Sequence, residues 1–135
     1  QRAWSISPNH PGSSSEATGA NIVVMQIRPR DLPQWLEQAR TMGEPVVLDV
    51  REPFEHQRAQ VRADGFELRA IPMGVLPPRL QELDPSQPIA CLCHHGGRSM
   101  QVAHFLHHQG FAHVANIAGG IDAWATELDT TVARY

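Results

Sequence analysis

Cysteine is scarce in this sequence, with only Cys91 and Cys93 among its 135 residues. Two cysteines so close together in one extended strand could pair only with strained geometry, so a small scaffold held together by disulfides is excluded. Such low cysteine usage fits a reducing compartment, and we expect a cytoplasmic protein.

Long apolar runs and an excess of basic residues are also missing. No apolar run approaches the roughly 18 to 20 residues that span a bilayer, and no basic segment followed by an apolar one opens the chain, so we expect neither a membrane span nor a signal peptide. The formal net charge is -3 with the eight histidines counted as neutral. Without a basic stripe to neutralise phosphates, nucleic acid is not an expected partner.

Residues 1–24 differ in composition from the rest of the chain. They are rich in Ser, Pro, Gly and Asn and show no apolar period, so they bury too little surface to fold. We therefore predict a disordered leader. Because the chain begins with Gln1 and not with Met, this leader is of native or vector origin. Residues 25–135 have the size of one domain with one core.

From Met25 onward, short apolar runs alternate with amphipathic segments, which is typical of an α/β domain. The runs at 45–50 and 88–93 show no polar alternation, as expected of strands covered on both faces. Three weaker strands are predicted near 25–28, 66–71 and 113–117. Helices are predicted to begin at Asp31 and to cover 53–58, 78–83, the segment from about Ser99 to Gly110, and 120–126. This order favours a mostly parallel five-stranded sheet flanked by helices.

The segment Cys93–Ser99 carries the strongest signal for chemistry. Ligands of open α/β sheets bind beyond the carboxyl ends of the strands, and Cys93 ends a predicted strand. Two glycines allow a tight loop whose N–H groups converge on the thiol, and the helix expected near Ser99 adds its positive end. The loop therefore predicts a Cys93 thiolate at neutral pH, and a catalytic residue in place of an inert core cysteine.

This segment, Cys-His-His-Gly-Gly-Arg-Ser, resembles the active-site loop of the rhodanese family of sulfurtransferases. Three further segments resemble signatures of that family in the same order, namely 47–52, Ile71-Pro72 and 116–124. The resemblance extends from about residue 26 to residue 127. It implies a rhodanese-like domain in 25–135, although residues 59–70 replace the usual stretch between the second helix and the next strand.

The resemblance implies a sulfurtransferase. A donor such as thiosulfate would pass a sulfane sulfur to Cys93 as a persulfide, and a thiophilic acceptor (cyanide, a dithiol or a partner protein) would remove it. Neither a metal nor an organic cofactor is implied. A sulfur carrier or binding module without turnover is one alternative, and a Cys-based phosphatase or arsenate reductase of the same fold is another. Four residues separate Cys93 from Arg98, one fewer than in those phosphatases, which favours sulfur.

The loop residues receive separate roles under this resemblance. Arg98 is expected to clamp donor oxygens or to pin the loop by pairing with Asp49 or Glu52. Ser99 is interpreted as a cap of the following helix in preference to a donor contact. The remaining substrate-binding residues are His94, His95, Gly96 and Gly97, which contribute their backbone, while both histidine side chains are expected to project toward solvent and the acceptor.

Asp49 and Arg51 are predicted to support the site, either as structural partners or as substrate contacts. Cys91 is interpreted as a buried strand residue, and a regulatory disulfide with Cys93 is the less favoured alternative. No metal site is predicted, because the helical trio His104, His107 and His108 fits a solvated face better than a zinc site.

Overall fold

A computed structural model describes residues 24–135. The leader predicted for 1–24 lies, apart from Val24, outside the described residues. The strands are β1 (Met25–Ile27), β2 (Val46–Asp49), β3 (Glu67–Ala70), β4 (Ile89–Leu92) and β5 (Val114–Ile117). They form one sheet in the order β1-β5-β4-β2-β3 with every neighbouring pair parallel, which confirms the predicted α/β fold class.

Four α-helices accompany the sheet: α1 (Leu32–Ala39), α2 (Pro53–His56), α3 (Gly97–His108) and α4 (Gly120–Glu127). Short 3-10 helices occupy Pro29–Asp31, Met73–Val75 and Pro77–Glu82. The helix predicted at 78–83 thus takes the tighter 3-10 form, with non-helical backbone angles at Arg79. Within the described range, no helix has both the length and the apolarity to cross a bilayer.

The sheet carries an apolar core on each face. On one face, α1, α4 and the irregular segment 59–66 pack over alternate strand residues such as Val47 and Leu92. On the other face, α3 and the 3-10 helices Met73–Val75 and Pro77–Glu82 cover residues such as Leu48 and Ile89. Every residue of β2 and β4 is buried, as their uninterrupted apolar runs predict. Each fully buried leucine or isoleucine contributes roughly 1.5 to 3 kcal/mol to folding.

Parallel pairing brings the carboxyl ends of all five strands to one edge of the sheet. The residues that end or follow the central strands therefore meet there, among them Asp49 at the end of β2, Cys93 after β4 and Ile117 at the end of β5. This edge holds the candidate site.

Candidate active site

Cys93 directly follows β4 and is 1% exposed. Three donors surround its Sγ: the backbone N of Gly96 at 3.1 Å, the backbone N of Ser99 at 3.2 Å and Ser99 Oγ at 3.2 Å. Because these donors lie at the start of the 12-residue helix α3, the sulfur also faces the positive end of the helix dipole. This arrangement stabilises an anionic sulfur.

Gly96 makes the turn that brings these donors together. It precedes α3 with a left-handed φ of 104°, and a Cβ at this position would lie 3.0 Å from the backbone N of Gly119. Gly97 is already the first residue of α3, so the helix begins two residues before the predicted start at Ser99. A Cβ on Gly97 would meet open space, so the loop needs glycine at Gly96 and not at Gly97.

The N-terminus of α4 supports the Cys93 loop from behind. The amide of Ile121 donates to the Cys93 carbonyl at 2.8 Å, and the amide of Asp122 donates to the His94 carbonyl at 3.1 Å. Gly120 permits this approach: its φ is 61°, and a Cβ there would lie 2.5 Å from the Cys93 carbonyl oxygen. Glycine at the first residue of α4 is thus required by the packing of this helix end against the loop.

Ser99 does not cap α3, and the interpretation of this residue as a cap was wrong. It lies in the third position of the helix, where it is completely buried, and its hydroxyl lies between the Cys93 sulfur and Asn116 Oδ1. Asn116 is itself 1% exposed, and its Nδ2 donates to the Gly96 carbonyl at 3.3 Å. Sequence reasoning did not assign Asn116 to the site, although a polar residue inside an apolar strand was an available signal.

Arg98 pairs with Glu55 and not with Asp49 or Glu52, so the predicted partners were wrong. Two hydrogen bonds of 2.7 and 2.9 Å join the guanidinium to the Glu55 carboxylate. Glu55 is available because α2 directs it inward, where it is 4% exposed, whereas Asp49 already binds Arg51. The hydrogen bonds from Arg98 lower the pKa of Glu55 to about 2, against the effect of burial. The same pairing raises the pKa of Arg98.

Arg51 forms a buried ion pair with Asp49, beside the Arg98–Glu55 pair. It is 0% exposed, and its guanidinium binds the Asp49 carboxylate with contacts of 2.9 Å from Nε and 2.8 Å from Nη2. Its Nη1 also donates to the Glu55 carbonyl at 3.3 Å and to the Tyr135 hydroxyl at 3.0 Å. Burial opposes the charge of Arg51, but these hydrogen bonds raise its pKa overall. The pair therefore joins β2, α2 and the end of the described chain.

Three stacked rings lie over the first loop residues. The His94 ring stacks on Tyr135 at a centroid distance of 3.9 Å and on His95 at 4.0 Å. The carbonyl of Tyr135 accepts a hydrogen bond from His94 Nε2 at 2.7 Å, and the Tyr135 hydroxyl donates to Glu55 at 2.7 Å. Only His95 projects to solvent as expected, whereas His94 is half-buried. Tyr135 gave no local signal in the sequence, because its position depends on how the chain returns after α4.

Cys91 contrasts with Cys93. It is a free thiol, 0% exposed, on the same apolar face of the sheet. Burial raises the pKa of Cys91, and the neighbouring Cys93 adds to the effect. Among residues 24–135, no group of three or more His, Cys, Asp or Glu side chains is arranged to hold a metal ion.

The rhodanese-like domain family provides the model that matches this chain, over residues 32–127. The chain is similar to the rhodanese-like/PpiC domain-containing protein 12, chloroplastic, of Arabidopsis thaliana, with 36% identity over 114 residues. That alignment covers 83% of this chain but 38% of the plant protein, so the chain spans well under half of that relative. A sulfurtransferase of Allochromatium vinosum is 34% identical over 80 residues, which cover 59% of this chain and 71% of the relative.

Solved structures show the same relationship. A rhodanese-related protein from Thermoplasma volcanium is 30% identical, with a TM-score of 0.64 over 77% of this chain and 93% of that one. The polysulfide-sulfur transferase of Wolinella succinogenes is 26% identical, with a TM-score of 0.60 over 77% of this chain and 74% of that one. Because the family model matches residues 32–127, and the order of strands and the glycine turn at Cys93 are consistent with it, the chain belongs to the rhodanese-like domain family.

Proposed function

We propose that the chain is a sulfurtransferase that carries a sulfane sulfur on Cys93 as a persulfide. The observation that carries this proposal is the pair of backbone N–H donors, of Gly96 and Ser99, that lie with the Ser99 hydroxyl within 3.2 Å of the Cys93 sulfur, at the positive end of α3. These groups favour an anionic sulfur nucleophile. Sulfur transfer among the relatives, in Allochromatium vinosum and Wolinella succinogenes, supports the same chemistry.

The reaction has two displacements. The Cys93 thiolate attacks the outer sulfur of thiosulfate, the S–S bond of the donor breaks, and sulfite leaves with the electron pair. A nucleophilic acceptor then attacks the outer sulfur of the persulfide, and Cys93 leaves as the thiolate. With cyanide as acceptor the product is thiocyanate. No net oxidation of the protein occurs, so the site returns to its starting state.

The donor must present a sulfane sulfur to a nucleophile that is almost completely buried. Cys93 is 1% exposed, and the Arg98 guanidinium at the loop is bound to Glu55. Small donors such as thiosulfate or polysulfide fit this access better than a bulky one. The acceptor is cyanide, a dithiol or a partner protein in a reducing compartment such as the cytoplasm, where Cys91 and Cys93 remain free thiols.

Intact mass spectrometry tests the proposal. The protein, Cys93→Ser and Cys91→Ser are each incubated with thiosulfate and separately with polysulfide, then with cyanide. We expect the protein and Cys91→Ser to gain about 32 Da, one sulfur atom, and to lose it to cyanide, because only the Cys93 thiolate is placed for attack. The comparison of the two serine variants shows whether the sulfur is carried by Cys93 in its loop or by either thiol.

Loss of the gain in Cys91→Ser but not in Cys93→Ser would overturn the assignment of the nucleophile. Absence of any gain with both donors would replace the sulfurtransferase by a binding module without turnover. Hydrolysis of an aryl phosphate that vanishes in Cys93→Ser would instead support the phosphatase alternative.

A further inference from the structure

Asn116 connects two of the residues that contact the Cys93 sulfur. Its side chain extends from β5 toward the start of α3, where Nδ2 donates to the Gly96 carbonyl at 3.3 Å and to Gln26 Oε1 at 2.9 Å. Its Oδ1 accepts from the Ser99 hydroxyl at 2.5 Å. At 1% exposure, Asn116 has no water to replace these partners.

The backbone fixes which way this amide points. A carbonyl oxygen only accepts hydrogen bonds, so the Gly96 carbonyl requires the NH₂ group of Asn116 on its side. Oδ1 therefore faces Ser99, and being an acceptor it requires the hydroxyl proton of that residue. Ser99 has one such proton, and its Oγ also lies 3.2 Å from the Cys93 sulfur. Two acceptors, Asn116 Oδ1 and an anionic sulfur, compete for one hydroxyl proton.

We propose that Asn116 is a positioning residue that withholds the Ser99 hydroxyl proton from the Cys93 sulfur and so balances attack by that sulfur against its departure. The sulfur-transfer half of this statement rests on the proposed function. A thiolate that accepts fewer hydrogen bonds is the stronger nucleophile, while one that accepts more is the better leaving group. Asn116 thus favours loading of sulfur onto Cys93 at some cost to its release.

Each state of the cycle has a defined acceptor for the Ser99 hydroxyl proton. In the thiol, Cys93 donates its S–H to Ser99 Oγ while the Ser99 hydroxyl donates to Asn116. In the thiolate, the amides of Gly96 and Ser99 hold the charge, and the hydroxyl is shared between sulfur and Asn116. In the persulfide, the charge moves to the outer sulfur and the hydroxyl returns to Asn116. The S–H proton leaves Cys93 for solvent when the thiolate forms; between thiolate and persulfide, only the Ser99 hydroxyl rotates.

The pH midpoint of Cys93 alkylation by iodoacetamide tests the competition without any sulfur donor, with the modified peptide identified by mass. In Asn116→Ala the hydroxyl turns fully to the sulfur, and we expect the midpoint to fall by about half to one pH unit, as for one hydrogen bond gained by a charged group. In Asn116→Asp the carboxylate holds the hydroxyl proton more firmly, and we expect the midpoint to rise. Charge repulsion by the new carboxylate also raises the midpoint, so the fall in Asn116→Ala is the result that tests the competition.

Ser99→Ala provides the second half of a double-mutant cycle. The effect of Asn116→Ala on the midpoint should disappear in the Ser99→Ala background, because no hydroxyl remains to be released. With thiosulfate and cyanide, Asn116→Ala should load sulfur more slowly per thiolate and discharge it faster, each by a few-fold.

An unchanged midpoint in Asn116→Ala, or an equal shift in both backgrounds, would overturn the inference while leaving persulfide formation by the unmodified protein intact. Conversely, a protein that shows the expected midpoints but gains no sulfur would keep the proton competition and lose the proposed function. The two failures are therefore distinguishable.

Discussion

Cys91 and Cys93 lie two residues apart, on the same face of one strand and its continuation, and are 0% and 1% exposed. Burial is thus nearly equal, yet their surroundings differ. Cys91 is within the paired part of β4, opposite Leu48 of β2, where the neighbouring backbone N–H groups serve the sheet. Cys93 lies beyond the pairing, where the amides of Gly96 and Ser99 point to its sulfur. The two cysteines are therefore distinguished by which backbone donors remain available to the sulfur, and not by exposure.

The largest expected effect concerns this difference in reactivity. At pH 7, iodoacetamide should modify Cys93 at least about a hundredfold faster than Cys91, because burial raises the pKa of Cys91 and the loop donors favour the Cys93 thiolate. Peptide mapping after timed quenching measures both rates in one sample. Comparable rates in the folded protein would remove the basis of the comparison.

Gly120→Ala should disturb the loop around Cys93 and leave the surroundings of Cys91 unchanged. The added Cβ would lie 2.5 Å from the Cys93 carbonyl oxygen, so α4 must move away from the loop, and we expect a loss of about 3 kcal/mol of unfolding free energy. Urea denaturation measures this change. Gly97→Ala is the matched control, because its Cβ meets open space and should cost well under about 1 kcal/mol. Equal losses in the two variants would contradict the packing described for Gly120.

The Arg98–Glu55 pair should give the protein a specific sensitivity to acid. The pKa of Glu55 is about 2 in the folded state, below its ordinary value near 4.3, so the unfolded state binds more protons between these values. The resulting stability, about 3 kcal/mol, is present above about pH 4.3 and is lost as the pH falls through 2. Unfolding free energies from pH 6 to pH 2 measure it, with Glu55→Gln as the comparison. If the unfolding free energies of the protein and of Glu55→Gln changed with pH by the same amount, the prediction would be contradicted.

The smallest expected effect belongs to the Tyr135 hydroxyl. Tyr135→Phe keeps the ring stacked on His94 but removes the hydrogen bonds to Glu55 and Arg51, and we expect a loss of about 1 kcal/mol in unfolding free energy. Tyr135→Leu also removes the stack and should cost about 0.5 to 1.5 kcal/mol more. Thermal or urea unfolding measures both. An equal cost in the two variants would show that the stack contributes nothing.

Prediction from sequence was most reliable where local pattern and fold agree. The runs of β2 and β4 are apolar at every position, and both strands are fully buried. The loop was identified because a cysteine, two glycines and a helix start stand next to each other in the chain. Within that loop, the start of α3 was placed two residues late, because Gly97 is a poor helix former that is tolerated at the first position.

Partners from distant segments could not be predicted in the same way. Arg98 was expected to pair with Asp49 or Glu52. The choice of Glu55 depends on the turn of α2 and on the occupation of Asp49 by Arg51. Ser99 was expected to cap a helix because a serine hydroxyl at a helix start commonly accepts a hydrogen bond from a backbone N–H group. Its true partner, Asn116, comes from a strand 17 residues away.

The sequence by itself determined the α/β class and the family, and it predicts Cys93 as the reactive cysteine. These depend on periodicity and on residues that are neighbours in the chain, where the range of possible geometries is small. The tertiary structure alone decided which charged groups pair around Cys93, how α4 supports the loop, and that Asn116 and Ser99 share a proton beside the sulfur. The physical reason is that hydrogen bonds are satisfied by whatever group the packed strands and helices bring within about 3 Å, whatever its distance in sequence.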